Sequence, residues 1–381
     1  MSGINIAITG LGAICACGNN ITQVLHNFTI GARNASLDNP VFQVKNLAIK
    51  NPQAMRTLNL CLTALEEAIG EAKFNDLSKL RVGICLGTTV ASQLNDIDFY
   101  RAYREKGNAP LDSVDRFLKG NIAACVAKVL KIETRLCCTI VNACSSGTDA
   151  IGVGLSWLRN NYCDVVIAGG ADELNRVPLD GFASLGIVSQ SLCAPFDRNR
   201  GGLNLGEGAG RVILEQEEVA GKRGKTPKLF LKGYGLAQDA YHLTAPRPDG
   251  HGLEQALQQA LKEANVSSGD ISFVNAHGTA THDNDKVEGT VLARVFGPQI
   301  KFLSTKGFTG HTLGAAGGLE AVFSCLGLRE GWIPGSVGFV NMDEEIGIAP
   351  VNQKTEIKGR YAVSTSLAFG GNNSALVISK N

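Results

Sequence analysis

Cys138-Thr-Ile-Val141-Asn-Ala-Cys144-Ser-Ser-Gly147-Thr-Asp-Ala-Ile-Gly-Val-Gly-Leu-Ser-Trp-Leu158 changes period in mid-stretch. The apolar run 138–141 reads as a strand. After Cys144, residues Gly147, Ala150, Ile151, Gly154, Leu155 and Leu158 recur at i, i+3, i+4, i+7, i+8 and i+11, which is the small-residue face of a buried helix. Cys144 lies at the junction. A thiol there meets the free N–H groups and the positive end of the helix, and both lower its pKa. Small residues on either side permit a sharp turn that exposes the sulfur, as in a nucleophile elbow.

Working outward, the same alternation fills the chain. Residues 4–9 (INIAIT) read as a strand ending in Gly10-Leu11-Gly12, and further strands fall at 82–86, 164–168 and 211–214. Leu62, Leu65, Ala68, Ile69 and Ala72 make a helical stripe. The polar stretch 215–227 (EQEEVAGKRGKTP) then interrupts the pattern and marks a boundary. Beyond it come strands at 228–232, 271–275, 301–304, 361–365 and 375–378. Helical stripes run through Leu253–Ala264 and Leu313–Leu328. Both halves follow one order of strands and helices, an internal duplication that predicts an α/β fold of two mixed sheets with helices between and around them. The halves are set at 1–220 and 226–381, the first longer by insertions such as 96–126.

Composition narrows the functional classes. Lys and Arg total 36 against 35 Asp and Glu, a net charge of +1 that gives no electrostatic footprint for nucleic acid or a membrane surface. The 45 glycines exceed the average of about 7 % and imply tight turns and close backbone contacts. Eleven cysteines, an odd number without CxxC spacing, fit a reducing cytoplasm and small buried hydrophobes. No run approaches the roughly 18 apolar residues of a membrane span, and residues 1–10 do not read as a secretory signal.

Two histidines join Cys144 as candidates. Asn275-Ala-His277-Gly-Thr279-Ala-Thr281 and Lys306-Gly-Phe-Thr-Gly-His311 both follow predicted strands, and strand carboxyl ends are where open α/β sheets bind ligands. A metal site from His277, His282, Asp283 and Asp285 matches no zinc spacing, so no metal is expected. Gly10-Leu-Gly12 lacks the third glycine of a dinucleotide fingerprint; Cys15 stands there. Gly206-Glu-Gly-Ala-Gly210 is no P-loop, and no GxSxG occurs.

These residues resemble the elongating β-ketoacyl-acyl carrier protein synthases of the thiolase-like condensing enzymes. The likeness rests on NACSSG around Cys144, NAHGTAT around His277 and KGFTGHTLGAAGG from Lys306. It extends to Pro195-Phe-Asp197, Gly206–Gly210 and Phe369-Gly370-Gly371-Asn372-Asn373. It implies a duplicated five-layered αβαβα sandwich and a decarboxylative Claisen condensation. Cys144 would carry the acyl group, with His277 and His311 stabilising the enolate. Lys306 and Glu320 would order the site, and the N–H groups of Cys144 and Phe369 would form an oxyanion hole. Thr279 and Thr281 would contact the pantetheine arm, Leu203 the acyl group, and Gly370 and Gly371 would let Phe369 swing as a gate.

The resemblance also implies no permanently bound cofactor, the substrates arriving on the 4'-phosphopantetheine of an acyl carrier protein. It implies a homodimer or a heterodimer with a chain-length-factor-like subunit. Cys144 argues against a silent chain-length factor, and His311 against a thiolase or an initiating synthase. Leu203 stands where the family carries an aromatic residue, and Ala368 and Asn372 replace the commoner Gly and Thr of the gate. The resemblance places the reaction in fatty-acid synthesis or in a specialised polyene or polyketide pathway, and these departures point to the specialised one. Arg56, Lys128, Arg198 and Arg200 are the basic residues expected to meet an acidic carrier protein.

Overall fold

Two glycines seat the first strand under its helix. In Ile6–Cys15 (β1), a Cβ on Gly10 would lie 2.1 Å from the Ala68 carbonyl oxygen, and one on Gly12 1.9 Å from that of Ala64. Both carbonyls belong to the helix Arg56–Ala72. The strand therefore runs on through Gly10-Leu11-Gly12 to Cys15 rather than turning there. The glycines serve helix packing, not a phosphate.

The computed structural model describes residues 4–36, 40–50, 55–74, 76–89, 97–112, 114 and 121–381. The remaining strands are β2 (Val82–Gly87), β3 (Thr134–Ile140), β4 (Val165–Asp172), β5 (Gly208–Gln216), β6 (Leu229–Gln238), β7 (Ile271–Asn275) and β8 (Phe302–Leu303). After the small ladder of β9 (Trp332–Ile333) with β10 (Thr355–Glu356) come β11 (Tyr361–Ala368) and β12 (Asn372–Lys380).

Hydrogen bonding orders ten strands as β3-β2-β4-β5-β1-β6-β12-β11-β7-β8. The two groups of five meet where Ile6–Ile8 of β1 pairs antiparallel with Leu229–Leu231 of β6. Within each group, from the outer edge inward, the order is third, second, fourth, fifth, first. The three outer strands run parallel, and the fifth lies antiparallel between the fourth and the first. The glycine seat repeats too. Gly233 and Gly235 of β6 would clash with the Ala260 and Ala256 carbonyl oxygens of the helix His251–Ala264, at 2.2 and 1.9 Å.

Between the two groups lies a layer of two helices, Ser146–Arg159 and Ala316–Glu330, each touching strands of both groups and each other. Small residues bring them close: a Cβ on Gly147 would sit 2.7 Å from the Gly318 nitrogen. Helices Arg56–Ala72 and Ile122–Leu130 cover the outer face of the first group, and His251–Ala264 that of the second. This is the expected five-layered αβαβα sandwich.

The polar stretch 215–227 holds more structure than its composition suggests. Glu215 completes β5 in the core, where it accepts bonds from Arg223 Nε (2.9 Å), Arg223 Nη2 (2.6 Å) and Thr9 Oγ1. Glu217–Lys222 then forms a short helix. Of the segment 96–126, the described part holds the helix Ile97–Lys106 and the start of Ile122–Leu130; residues 96, 113 and 115–120 lie outside the described residues. No helix among the described residues is long and apolar enough to cross a membrane.

Candidate active site

Cys144 sits buried on a tight elbow between β3 and its helix. Ala143, before it, has φ +47°, a left-handed backbone that costs energy for a residue with a Cβ. Hydroxyls hold the bend: Ser146 Oγ donates to the Ala143 carbonyl at 2.6 Å and accepts from Asn142 N–H at 2.8 Å. Ser145 Oγ donates to the Asn142 carbonyl at 2.9 Å.

The helix terminus alone leads one to expect a lowered thiol pKa; the structure corrects this. Burial pushes the Cys144 thiol up to about 12, and the Lys306 charge and a hydrogen bond from the Phe369 N–H only partly oppose it. Desolvation of the charged sulfur outweighs the favourable dipole in so enclosed a position.

Two imidazoles face the sulfur. The ligating atoms of Cys144, His277 and His311 all lie within 4.8 Å of one another, and the rings meet edge-on with centroids 5.1 Å apart. Lys306 Nζ lies 3.0 Å from His277 Nδ1 and donates to the His277 carbonyl and to Glu320 Oε1. The Leu313 N–H donates to His311 Nδ1 at 3.2 Å. With both Nδ1 atoms accepting, each ring carries its proton on Nε2 and offers it to the pocket. Burial and the charge of Lys306 hold both histidines well below the usual imidazole range, so both are neutral donors at pH 7. Burial raises the Glu320 carboxyl, and Lys306 works against that shift.

A cavity of about 260 Å³ leads from solvent to this cluster. Its lining includes Thr279, Thr281, Leu203, Phe182 and Phe369 along with Cys144 and both histidines. Thr279 and Thr281 share a hydroxyl–hydroxyl bond of 2.8 Å. Phe182, on the helix Arg176–Ser184, stacks on Phe369 at 5.4 Å and 22° and meets the His311 ring edge-on at 6.4 Å. Gly370 and Gly371 are not part of the cavity lining. They form a turn with φ +87° and +81°, which glycine alone adopts without strain. That turn is strapped to the loop after β6: Gly370 N–H donates to the Leu243 carbonyl and Asp239 N–H to the Gly371 carbonyl, both at 2.8 Å.

Two protein-family models match the chain: "Beta-ketoacyl synthase, N-terminal domain" over residues 32–220 and "Beta-ketoacyl synthase, C-terminal domain" over 230–340. A 3-oxoacyl-[acyl-carrier-protein] synthase 2 of Staphylococcus aureus (strain MRSA252) is 31% identical, across 99% of this chain and 98% of that protein. The chain belongs to the β-ketoacyl synthase family. Within it, the ishigamide ketosynthase/chain length factor superposes with a TM-score of 0.94 at 27% identity, covering 100% of both chains. Ketosynthase ApeO in complex with its chain length factor ApeC, from Xenorhabdus doucetiae, gives 0.84 at 28% identity, over 99% of this chain and 98% of that one. The protein is thus a ketosynthase-type condensing enzyme with a thiolase-like fold.

Several carboxylates that shape this ketosynthase site lie outside the sequence motifs that point to it. Glu288 accepts from the His277 and Gly278 N–H groups at 2.8 and 2.7 Å and from Thr365 Oγ1 at 2.7 Å, and burial raises it to about 7. Asp285 accepts from Phe196 N–H at 2.7 Å, and Asp172 from Gly314 N–H at 2.7 Å. A signal exists in the sequence: Asp285 and Glu288 are acids three apart on the buried stripe of the helix His282–Phe296, beside Val291 and Leu292. The expected docking residues fare unevenly. Arg200 is buried, ion-paired with Asp343, and Arg56 is held by both oxygens of Glu207, so neither is free to meet a carrier protein. Arg198 is paired with Glu344, and Lys128 is exposed.

Proposed function

We propose that this ketosynthase joins an acyl group to malonyl-acyl carrier protein by decarboxylative Claisen condensation, with Cys144 as nucleophile. One observation carries the reading: a thiol and two imidazoles, each with its Nδ1 already accepting a hydrogen bond, bring their ligating atoms within 4.8 Å of one another in the lining of one cavity. The Cys144 sulfur attacks the thioester carbon of an acyl carrier protein, and the thiol proton passes to the departing pantetheine sulfur. The Phe369 N–H, beside the sulfur, and the Cys144 N–H serve the tetrahedral oxyanion. In the second half-reaction the malonyl group loses carbon dioxide, and its C–C electron pair moves onto the thioester oxygen. His277 and His311 donate to that enolate oxygen. The carbanion attacks the acyl carbon, Cys144 leaves as thiolate and takes one proton from solvent, and a 3-oxoacyl thioester departs. Lys306 and Glu320 fix the His277 tautomer rather than exchange protons with substrate.

The assignment of 1–220 and 226–381 as the nucleophile half and the histidine half goes with this mechanism. Thr279 and Thr281 receive the pantetheine arm. Leu203, packed with Leu205, Leu313, Phe182 and Ile187, bounds the acyl group, and its lack of an aromatic ring favours a polyene or polyketide chain. The substrates arrive on an acyl carrier protein in the cytoplasm. A second subunit, a copy of this chain or a chain-length-factor-like partner, pairs along the half-buried edge of β3, the outermost strand of its group.

Mass spectrometry after incubation with a panel of acyl carrier proteins tests the reading. The expected result is an acyl mass gain on Cys144, then carbon dioxide release and a 3-oxoacyl product when malonyl-carrier protein is added. Folded protein that is acylated by no member of the panel would overturn it.

A further inference from the structure

A line of amide side chains joins the nucleophile elbow to the gate. Gln238 Nε2 donates to Asn372 Oδ1 at 2.5 Å, Asn372 Nδ2 to Asn142 Oδ1 at 2.7 Å, and Asn142 Nδ2 to Asp149 Oδ2 at 2.6 Å. Asp149 sets the direction of this line. Its oxygens accept four bonds, from Asn142, from Ser145 Oγ at 2.8 Å, from Tyr234 O–H at 2.9 Å and from Ser374 Oγ. An acceptor so committed requires the NH₂ of Asn142, which turns Asn142 Oδ1 toward Asn372 and requires the NH₂ there in turn. Burial and Asp149 raise the Tyr234 hydroxyl, so it stays a donor. The amides polarise one another along the line.

The line spans elements 230 residues apart in sequence. Asn142 stands two residues before Cys144, at the foot of the strained elbow. Asn372 opens β12, three residues after Phe369, and pairs with Gln238 across the sheet. The turn between is short: Gly371 N–H bonds the Ala368 carbonyl at 3.0 Å, and Ala368 pairs with Asn372. A turn of four residues anchored at its stem tilts as a unit. A threonine at 372 is too short to make the contact, because its hydroxyl branches at Cβ.

We propose that Asn142 and Asn372 are positioning residues that form a clasp, holding the Phe369 turn closed over Cys144 until a bulky group displaces it. The clasp rests on the reading of Cys144 as nucleophile and Phe369 as gate. Closed, it keeps the Phe369 N–H on the sulfur and shields the site. A group too large for the closed cavity reaches Cys144 only after the Asn142–Asn372 bond breaks.

Alkylation of Cys144 by two reagents, iodoacetamide and N-(1-pyrene)iodoacetamide, tests this on the full chain. Adducts are assigned by fragmentation, because Cys137 and Cys138 lie close in sequence. Asn372→Thr is expected to raise the pyrene rate about three- to tenfold, the worth of one hydrogen bond, with the iodoacetamide rate within twofold. Asn142→Ala should do the same, and the double variant no more than the larger single effect. Unchanged rate ratios, or single effects that multiply in the double variant, would overturn the clasp. A melting scan of Asn372→Thr checks the fold, since a merely loosened structure raises both rates together. Failure of condensation in the unaltered protein would sink the proposed function and leave these ratios as they are.

Discussion

The two halves share one strand plan and spend it differently. Third strand, loop and central helix occur in each, as β3, the Cys144 elbow and Ser146–Arg159, then as β8, the 304–315 segment and Ala316–Glu330. In the first half the loop is short and strained, and it delivers a thiol. In the second it is longer, with the short helix Lys306–Thr309 inside it, and it delivers Lys306 and His311. Because the first central helix meets the second through Gly147, Gly317 and Gly318, and the segment before it through Gly314, equivalent ends of a repeated unit face each other across one cavity. Duplication supplies the juxtaposition, and the loop contents supply two different chemistries.

The largest test separates those chemistries. Cys144→Ala should abolish acyl-enzyme formation while malonyl-carrier protein is still decarboxylated within about tenfold of the original rate. His311→Ala should show the reverse: Cys144 still gains acyl mass, and decarboxylation falls about 10²–10³-fold, the loss typical of one oxyanion donor. Carbon dioxide release and intact-protein mass read the two outcomes. If either substitution removed both activities from a folded protein, the division of labour would be wrong.

The halves should also differ in their response to pH. Iodoacetamide labelling of Cys144 should rise about tenfold per pH unit from 7 to 9, because a thiol near 12 gains thiolate throughout that range. Decarboxylation by Cys144→Ala should vary little from pH 8 to 6, since two imidazoles held well below 6.5 are already neutral and gain no proton there. Any inflection should centre near 7 and belong to Glu288, which anchors the His277 loop. A step near 6.5 that disappears in His277→Asn would contradict the neutral-donor assignment.

The glycine seats offer a structural version of the same comparison. Gly12→Ala and Gly235→Ala each drive a Cβ to within 1.9 Å of a helix carbonyl oxygen. Each should cost about 1–3 kcal/mol or more in chemical denaturation, and the two losses should be similar. A large loss from one and none from the other would show that the outer helices are not held in the same way.

The sequence displays the strand–helix order, the duplication and the three motif loops because these depend on local period and punctuation. It hides what depends on distance. Gly10-Leu-Gly12 looks like a turn until the Ala64 and Ala68 carbonyls appear above it. Arg56 and Arg200 look like surface cations until Glu207 and Asp343 are found beside them. The elbow position of Cys144 is legible from residues 138–158, but its thiol pKa is not, because the burial that raises it exists only once residues distant in sequence, such as His277, His311 and Phe369, line the same cavity. Asp149 and Glu288 read as ordinary helix-face acids; only long-range partners show them holding the loops.

The smallest expected effect concerns a position where the halves disagree in the core. Arg211 on β5 faces Gly12 in register, and Ala375 on β12 faces Gly235 in the same way. Ala375 is buried without consequence. Arg211 is fully buried between Ala209 and Ile213, donates from Nη1 to the Gly210 carbonyl at 2.9 Å, and leaves Nε and Nη2 with no hydrogen-bond partner among the described residues. No carboxylate among those residues forms an ion pair with it. Two desolvated donors without acceptors cost more than the single bond returns, and an apolar side chain of similar length restores packing without that cost. Arg211→Met should therefore raise stability by about 1 kcal/mol in urea unfolding, with acylation of Cys144 unchanged. A clear loss of stability would mean that the guanidinium contributes a contact in solution that Ala375, its counterpart in the second half, does without.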